Sequence, residues 1–391
     1  MITINTLFII CISLVIYAYC GYGILLVVLV KLKRLLGYKI FSPIMPSDDS
    51  LPEVTLLICA YNEEAIIKEK IGNCNSLNYP NKKLNFLWVT DGSNDSTNSI
   101  LSQFPEIRVI YNPERKGKTS AINHGMTEVK TPLVVFTDAN TMLNEDAIRN
   151  IVIQFQDRKV GCVSGEKRVK SKSCEQVAAN GEGLYWKYES ALKKLDYELY
   201  STMGAAGELF AIRKELYEEL PENILLDDFI ISMNILIKGY KIAYTKEAFA
   251  IEYGSADLKE ESKRKMRISA GGIQSIWILK KLLNPFKYPI ASFQYISHRL
   301  LRWSIAPIAL VLLIPLNICL LTYSYTYIII FMLQIIFYSL ALYGYFQNKN
   351  NKKTKVVRII YYFVFMNINI FRGMKYLYFK TDGKWEKAKR S

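Results

Sequence analysis

The chain has 391 residues, 51% of them hydrophobic, and a formal charge of +15 at pH 7. Two histidines and seven cysteines without metal or disulfide spacing argue against zinc chemistry, Ser–His–Asp hydrolysis and a disulfide scaffold, and point to reduced thiols. Much of the positive charge flanks apolar runs instead of forming an Arg-rich tract interleaved with aromatics, which favours anionic lipid headgroups over nucleic acid.

Met1 to Val30 carries no charged side chain, and Lys31, Lys33, Arg34 and Lys39 follow it. The segment lacks a positive leader and is too long for a cleaved signal peptide, so residues 1–35 read as a transmembrane anchor whose basic end faces the cytoplasm. Prolines with Ser and Asp make residues 36–51 a linker. From Val54 the pattern alternates. Val54–Cys59 precedes a helix near Glu63–Ser76, and Phe86–Thr90 precedes one near Ser96–Gln103. Arg108–Tyr111 precedes Lys118–Met126, and Leu133–Thr137 precedes Asn144–Phe155. This alternation predicts an α/β fold, a doubly wound and mostly parallel sheet, in a cytoplasmic domain over residues 52–258. Val160–Ser164 and Glu208–Ile212 read as further strands, and Glu175–Leu195 and Asp228–Lys238 as helices.

Residues 259–302 read as basic, interfacial helices, and residues 303–348 as two transmembrane helices. Residues 349–391 then hold a basic loop, a short apolar run (Ile359–Phe371) and a basic tail with Lys375, Lys380, Lys384, Lys387, Lys389 and Arg390. If the short run crossed the membrane, the tail would lie outside, against the positive-inside rule, so an interfacial helix is expected.

Acidic residues stand where such a sheet binds ligands, at the carboxyl ends of strands. Asp91 opens Asp-Gly-Ser-Asn-Asp-Ser, which is equally a turn followed by a helix cap. Asp138 ends another strand, where a carboxylate can hold Mg²⁺ or Mn²⁺ against phosphate oxygens; Asn140 adds a neutral carbonyl oxygen. Lys116-Gly117-Lys118-Thr119 is not a Walker loop, because Asn112 stands where its first Gly belongs. Lys118 at a helix start either meets a diphosphate or is simply solvated. Asp227 and Asp228 either cap the helix they precede or supply a base, adjacent carboxylates raising one pKa. His124 reads as a structural helix residue, and His298 to Trp303 as anchors at the membrane edge.

Together these residues resemble the family 2 glycosyltransferases, in the membrane-embedded branch related to cellulose, chitin and hyaluronan synthases, over roughly Pro52 to Leu283. The resemblance implies a GT-A-like, nucleotide-sugar-binding fold in which Tyr61, Glu63 and Asp91 contact the nucleoside. It places Lys118, within Gly117–Asn123, near the diphosphate, and a divalent metal on Asp138 and Asn140, the positions of an Asp-x-Asp motif. It makes Asp228 the general base beside Asp227, and Gly204–Arg213 an acceptor-side strand. The Gln-x-x-Arg-Trp motif has its best match at Arg264-Lys265-Met266-Arg267-Ile268, with Arg264 and Arg267 toward the diphosphate. Ile268 stands where Trp would stack on a sugar, a departure that weighs against long-chain processivity.

The expected reaction is therefore an inverting hexosyl transfer from a nucleotide-sugar donor, a UDP-sugar, to a hydroxyl of a glycan or lipid-linked acceptor. The setting would be cell-envelope or exopolysaccharide synthesis in the inner membrane, with polysaccharide-assembly partners. Two alternatives stay open: transfer to polyprenyl phosphate, which needs no base, and a catalytically silent nucleotide-sugar-binding scaffold. A transporter fares worst, because the long spans carry no charge.

Overall fold

The computed structural model describes residues 2–38, 41–170, 177–253, 258–349 and 355–379. Helices α1 (Ile2–Ile16) and α2 (Tyr22–Leu35) are joined by a π turn into one apolar rod. The alternating half of the sheet follows: β1 (Val54–Ala60), α3 (Ile67–Asn75), β2 (Leu84–Asp91), α4 (Thr97–Leu101), β3 (Arg108–Asn112), α5 (Lys118–Glu128) and β4 (Leu133–Asp138). Then come β5 (Met142–Leu143), α6 (Ala147–Val152), β6 (Val160–Lys170), α7 (Val177–Leu199), β7 (Leu209–Arg213), α8 (Asp227–Ile237), β8 (Lys241–Tyr253) and α9 (Leu258–Ile278). The chain continues with α10 (Pro289–Tyr295), a π-helical stretch Ile296–Ile305, α11 (Ala306–Leu320), α12 (Tyr325–Lys349) and α13 (Lys355–Phe379).

The strands form one sheet in the order β3-β2-β1-β4-β7-β6-β8-β5. Its first four strands are parallel, as the alternation predicts. Beyond β4 the sheet is mixed: β7 runs antiparallel to β4 and to β6, and β8 lies parallel to β6. β1 reads Val-Thr-Leu-Leu-Ile-Cys-Ala because helices cover both of its faces, so alternation of polar and apolar side chains is unnecessary. Leu56 and Ile58 pack with Ile67 and Ile71 of α3 on one face. Leu57 packs with Ile122 and Met126 of α5 on the other, in the core that also holds Phe229 and Ile230 of α8. Burying a side chain of this kind contributes about 1.5–3 kcal/mol.

Among the described residues, four helical segments are long and apolar enough to cross a membrane: Ile2–Leu35, Pro289–Leu320, Tyr325–Gln347 and Val356–Phe379. Two differ from the sequence-based expectation. The second begins at Pro289, because the π-helical stretch carries α10 continuously into α11. It also buries His298 completely, so this histidine is not a membrane-edge anchor. The last is longer than the short run expected, and α13 packs closely on α9. A Cβ on Gly373 would lie 2.7 Å from the Ala270 backbone nitrogen. The Ser262 hydroxyl donates to Asn369 Oδ1 at 2.9 Å, and Arg372 Nη1 donates to Ser262 at 2.9 Å. Lys39, Lys352, Lys353 and the tail from Lys380 lie outside the described residues, as do Glu175 and Gln176 at the start of the expected long helix.

Candidate active site

Parallel pairing brings the carboxyl ends of β1, β2 and β4 together, with Cys59 opposite both Val89 and Asp138. Asp91, at the end of β2, accepts the amide N–H of Lys116 on Oδ1 at 2.9 Å and that of Gly117 on Oδ2 at 2.8 Å. Gly117 adopts φ +102°, and Gly92 adopts φ +64° with the Arg115 backbone nitrogen 2.7 Å from where a Cβ would stand. Asp91 thus fixes the loop entering α5 and aims Lys118. The neighbouring loops are stitched together: Asn62 Nδ2 donates to Asn94 Oδ1 at 2.7 Å, and the Asn94 amide donates back to Asn62 Oδ1 at 2.9 Å. The Glu63 amide donates to Thr97 Oγ1 at 2.8 Å, leaving the Glu63 carboxylate buried at the cavity wall. The Arg115 guanidinium lies 3.9 Å over the Tyr61 ring, a cation–π contact.

Lys118 Nζ donates to Asp138 Oδ1 at 2.6 Å and lies 3.9 Å from Asp227 Oδ2. Burial works against its charged form, but Asp138, Asp227 and Asp228 outweigh it and hold its pKa well above the ordinary lysine value. Beneath this group, fully buried Lys70 donates to the Thr141 carbonyl at 2.6 Å and to Thr137 Oγ1 at 3.2 Å, locking the turn that carries Asp138 and Asn140. Among the described residues, buried Asn140 Oδ1 has no hydrogen-bond partner. A carboxylate beside an unsatisfied carbonyl oxygen fits a hard divalent cation that takes its other ligands from phosphate and water. Among the described residues, no three His, Cys, Asp or Glu side chains form a self-sufficient metal cage.

Asp227 and Asp228 open α8 at the far wall. Asp227 Oδ2 is buried with no hydrogen-bond partner among the described residues. Burial, then the charge of Asp227, pushes the half-buried Asp228 carboxyl up to about 7, against the opposing pull of Lys118. A third wall holds two carboxylates and two cations. Glu208 takes Lys167 Nζ at 2.5 Å and Arg264 Nη2 at 3.3 Å; Glu252 takes the same Lys167 and Arg264 at 3.1 Å. Arg299 donates from Nε to the Met203 carbonyl at 2.8 Å and from Nη1 to Glu189 at 2.6 Å. Trp303 meets Phe229 edge to face at 5.1 Å and so faces the protein interior.

Tyr61, Glu63, Asp91, Lys118, Asp138, Asn140, Asp227, Asp228, Arg264 and Arg267 all line one cavity of about 230 Å³. The sequence reading missed Glu208, Glu252, Glu189, Lys193 and Arg299 on the same walls. Glu208 falls within Gly204–Arg213, where a lone acid in an apolar strand was a usable signal. Glu252 had none, because it lies on β8, to which the reading assigned no element.

A mixed sheet with this crossover, a lysine–aspartate pair at its centre and an acidic helix start opposite define a glycosyltransferase of the GT-A type. The chain belongs to the family described as Glycosyltransferase like family 2, which it matches over residues 52–271, more than half its length. It is 28% identical over 250 residues to a probable glycosyltransferase, YdaM, of Bacillus subtilis (strain 168), a match covering 61% of this chain and 59% of that protein. It is 24% identical over 232 residues to the poly-beta-1,6-N-acetyl-D-glucosamine synthase of Staphylococcus aureus (strain COL), covering 57% and 55%. The matches thus span less than two thirds of either relative. Among solved structures, the mannosyltransferase PcManGT from Pyrobaculum calidifontis, in complex with GDP-Man and Mn²⁺, has the same fold: TM-score 0.71, 23% identity, coverage of 95% of this chain and 99% of that one.

Proposed function

We propose that this protein transfers a sugar, with inversion, from a nucleotide-sugar donor, a UDP-sugar, to a hydroxyl of a glycan or lipid-linked acceptor in envelope or exopolysaccharide synthesis. The observation that carries this reading is Asp228, a carboxyl held near pKa 7 in the same cavity as the Lys118–Asp138 pair. A base should titrate near the working pH, and such groups contribute typically 10²–10⁴-fold. The relative named as a poly-beta-1,6-N-acetyl-D-glucosamine synthase supports the polymer context. The neighbour bound to GDP-Man and Mn²⁺ supports a nucleotide-sugar and a divalent metal.

In this reading Tyr61 and Glu63 flank the nucleoside, and Asp91 holds the loop that faces the diphosphate. Asp138 and Asn140 hold Mg²⁺ or Mn²⁺, which supplies Lewis-acid stabilisation of the leaving group. Lys118, Arg264 and Arg267, the first two of which carboxylates also hold, offset the remaining charge on the diphosphate. Asp228 accepts the acceptor's hydroxyl proton as its oxygen bonds to the anomeric carbon; the bond from that carbon to phosphate breaks, and its electron pair leaves with the nucleoside diphosphate. Asp227 keeps the Asp228 carboxyl basic. Ile268 and Met366, from α9 and α13, bring the cavity to the membrane helices, which suits an acceptor delivered from the inner membrane with the catalytic domain on the cytoplasmic side.

The test is donor turnover by the full chain in detergent, screening UDP-, GDP- and dTDP-sugars with Mg²⁺ or Mn²⁺ and membrane extract as acceptor. Asp228→Asn should lower nucleoside-diphosphate release by roughly 10²-fold or more. Equal release by both proteins would turn the reading to polyprenyl phosphate as acceptor, and donor binding without turnover to a silent scaffold.

A further inference from the structure

Among the described residues, six cations line the cavity, and their partners differ. Lys118, Arg264, Lys265 and Arg299 each hold a carboxylate, whereas Arg267 and Lys193 have no ion pair among the described residues. Arg267 feels Asp227 and Asp138, so it belongs to the diphosphate side. Lys193, on α7, instead lies among Arg299, Glu189, Glu208 and Asp228, on the side of the base.

Lys193 is only 5% exposed, and the cavity is the open space its side chain borders. Glu189, four residues before it on α7, is the partner that helix geometry would provide. That carboxylate is taken by Arg299 at 2.6 Å, His298 at 3.1 Å and Arg302 at 3.3 Å. Glu189, Glu208 and Asp228 act on Lys193 only at longer range, and among the described residues no carboxylate lies within ion-pair distance, so this buried ammonium leaves room for an anion that arrives at the cavity wall.

We propose that Lys193, with Arg299 beside it, forms a second oxyanion subsite on the acceptor side of the cavity, separate from the diphosphate subsite. It takes a phosphate or carboxylate carried by the acceptor, placing the reacting group next to Asp228. Two sources share that chemistry: the phosphate of an isoprenyl carrier and the carboxylate of an acidic glycan. The inference rests on reading the cavity as a donor–acceptor site, and it selects acceptors that bear a negative charge.

The experiment is equilibrium binding to the full chain in detergent with saturating UDP and Mn²⁺, so that Lys118 and Arg267 are occupied. The probes are farnesyl phosphate, farnesol, a glucuronate-containing oligosaccharide and its neutral glucose counterpart. One anionic probe should bind the wild type at least about tenfold more tightly than its neutral partner. Lys193→Met should abolish that preference, and Lys193→Arg should keep most of it. Preference for farnesyl phosphate assigns the carrier, and preference for the glucuronate glycan assigns an acidic polymer. Equal binding of charged and neutral probes, or a preference that survives Lys193→Met, overturns the subsite. UDP binding by the variant, measured alongside, reports an intact cavity. Failure of both proteins to bind UDP would instead strike the donor reading, with the probe comparison still deciding the subsite.

Discussion

In the proposed mechanism, Asp228 makes catalysis and stability pull in opposite directions. Its folded pKa, about 7, lies above the ordinary aspartate value, so the charged form is disfavoured in the folded protein. Two outcomes follow from the sign. Transfer, measured as kcat/KM against pH, should rise through about pH 7 as the carboxylate forms. Asp227→Asn, by removing the like charge, should move that midpoint to lower pH. For stability, Asp228 is neutral in both states below the unfolded pKa, and its penalty grows as pH climbs through the folded pKa. Asp228→Asn should therefore be more stable than wild type by about 1–2 kcal/mol at pH 8, a discounted value because the cavity is open. The advantage should vanish near pH 4, as thermal melts at the two pH values would show. Equal melts at pH 8 would mean that the carboxyl is ordinary. The acidic pair itself was legible in sequence, because two acids before an apolar helix are few enough to notice. Which of them is pushed upward was not, since that depends on Gly207, Glu208 and Lys118 converging from other elements.

The Asp91 loop shows why strands were easier to read than the elements between them. Val54–Cys59, Phe86–Thr90 and Leu133–Thr137 announce themselves by continuous apolar runs and appear as β1, β2 and β4. The helix expected from Glu63 starts instead at Ile67, because Asn62, Glu63 and Glu64 spend their amides on Ser93, Thr97 and Asp95 across the loop. β8 escaped because its pairing with β6 shifts register twice, which breaks the period that pattern reading relies on. Gly92→Ala tests the loop directly. The new Cβ would meet the Arg115 backbone at 2.7 Å in a residue held at φ +64°, so the loop must shift and carry Gly117 and Lys118 with it. Left-handed strain alone is of order 1–3 kcal/mol, and UDP affinity should fall by roughly tenfold in a titration with Mn²⁺. Unchanged affinity would mean that the loop does not set the nucleotide subsite.

At the scale of the molecule, the catalytic domain and the apolar helices are one packed body. Tyr22 of α2 donates its hydroxyl to Asp196 of α7, and His298 Nδ1 meets the same carboxylate at 2.5 Å. Composition alone gave three spans and an interfacial segment; the structure gives four helices of sufficient length, and the fourth decides the topology. If all four crossed, the residues after Phe379 would face the side opposite the catalytic domain, carrying Lys380, Lys384, Lys387, Lys389 and Arg390 against the positive-inside rule. The packing of α13 argues otherwise. Its residues Tyr362, Asn369, Arg372 and Gly373 contact Glu261, Ser262, Ser269 and Ala270 of α9, the helix whose Arg264 and Arg267 line the cavity. Met366, between those contacts, lines the cavity itself. We propose that α13 lies along the interface, with its apolar face toward lipid and its polar side chains toward α9. A green fluorescent protein fused after Ser391 should therefore fluoresce in bacterial cells, and alkaline phosphatase fused at the same point should be inactive. The reverse pattern would establish four crossings, and α13 would then hold α9 from within the bilayer.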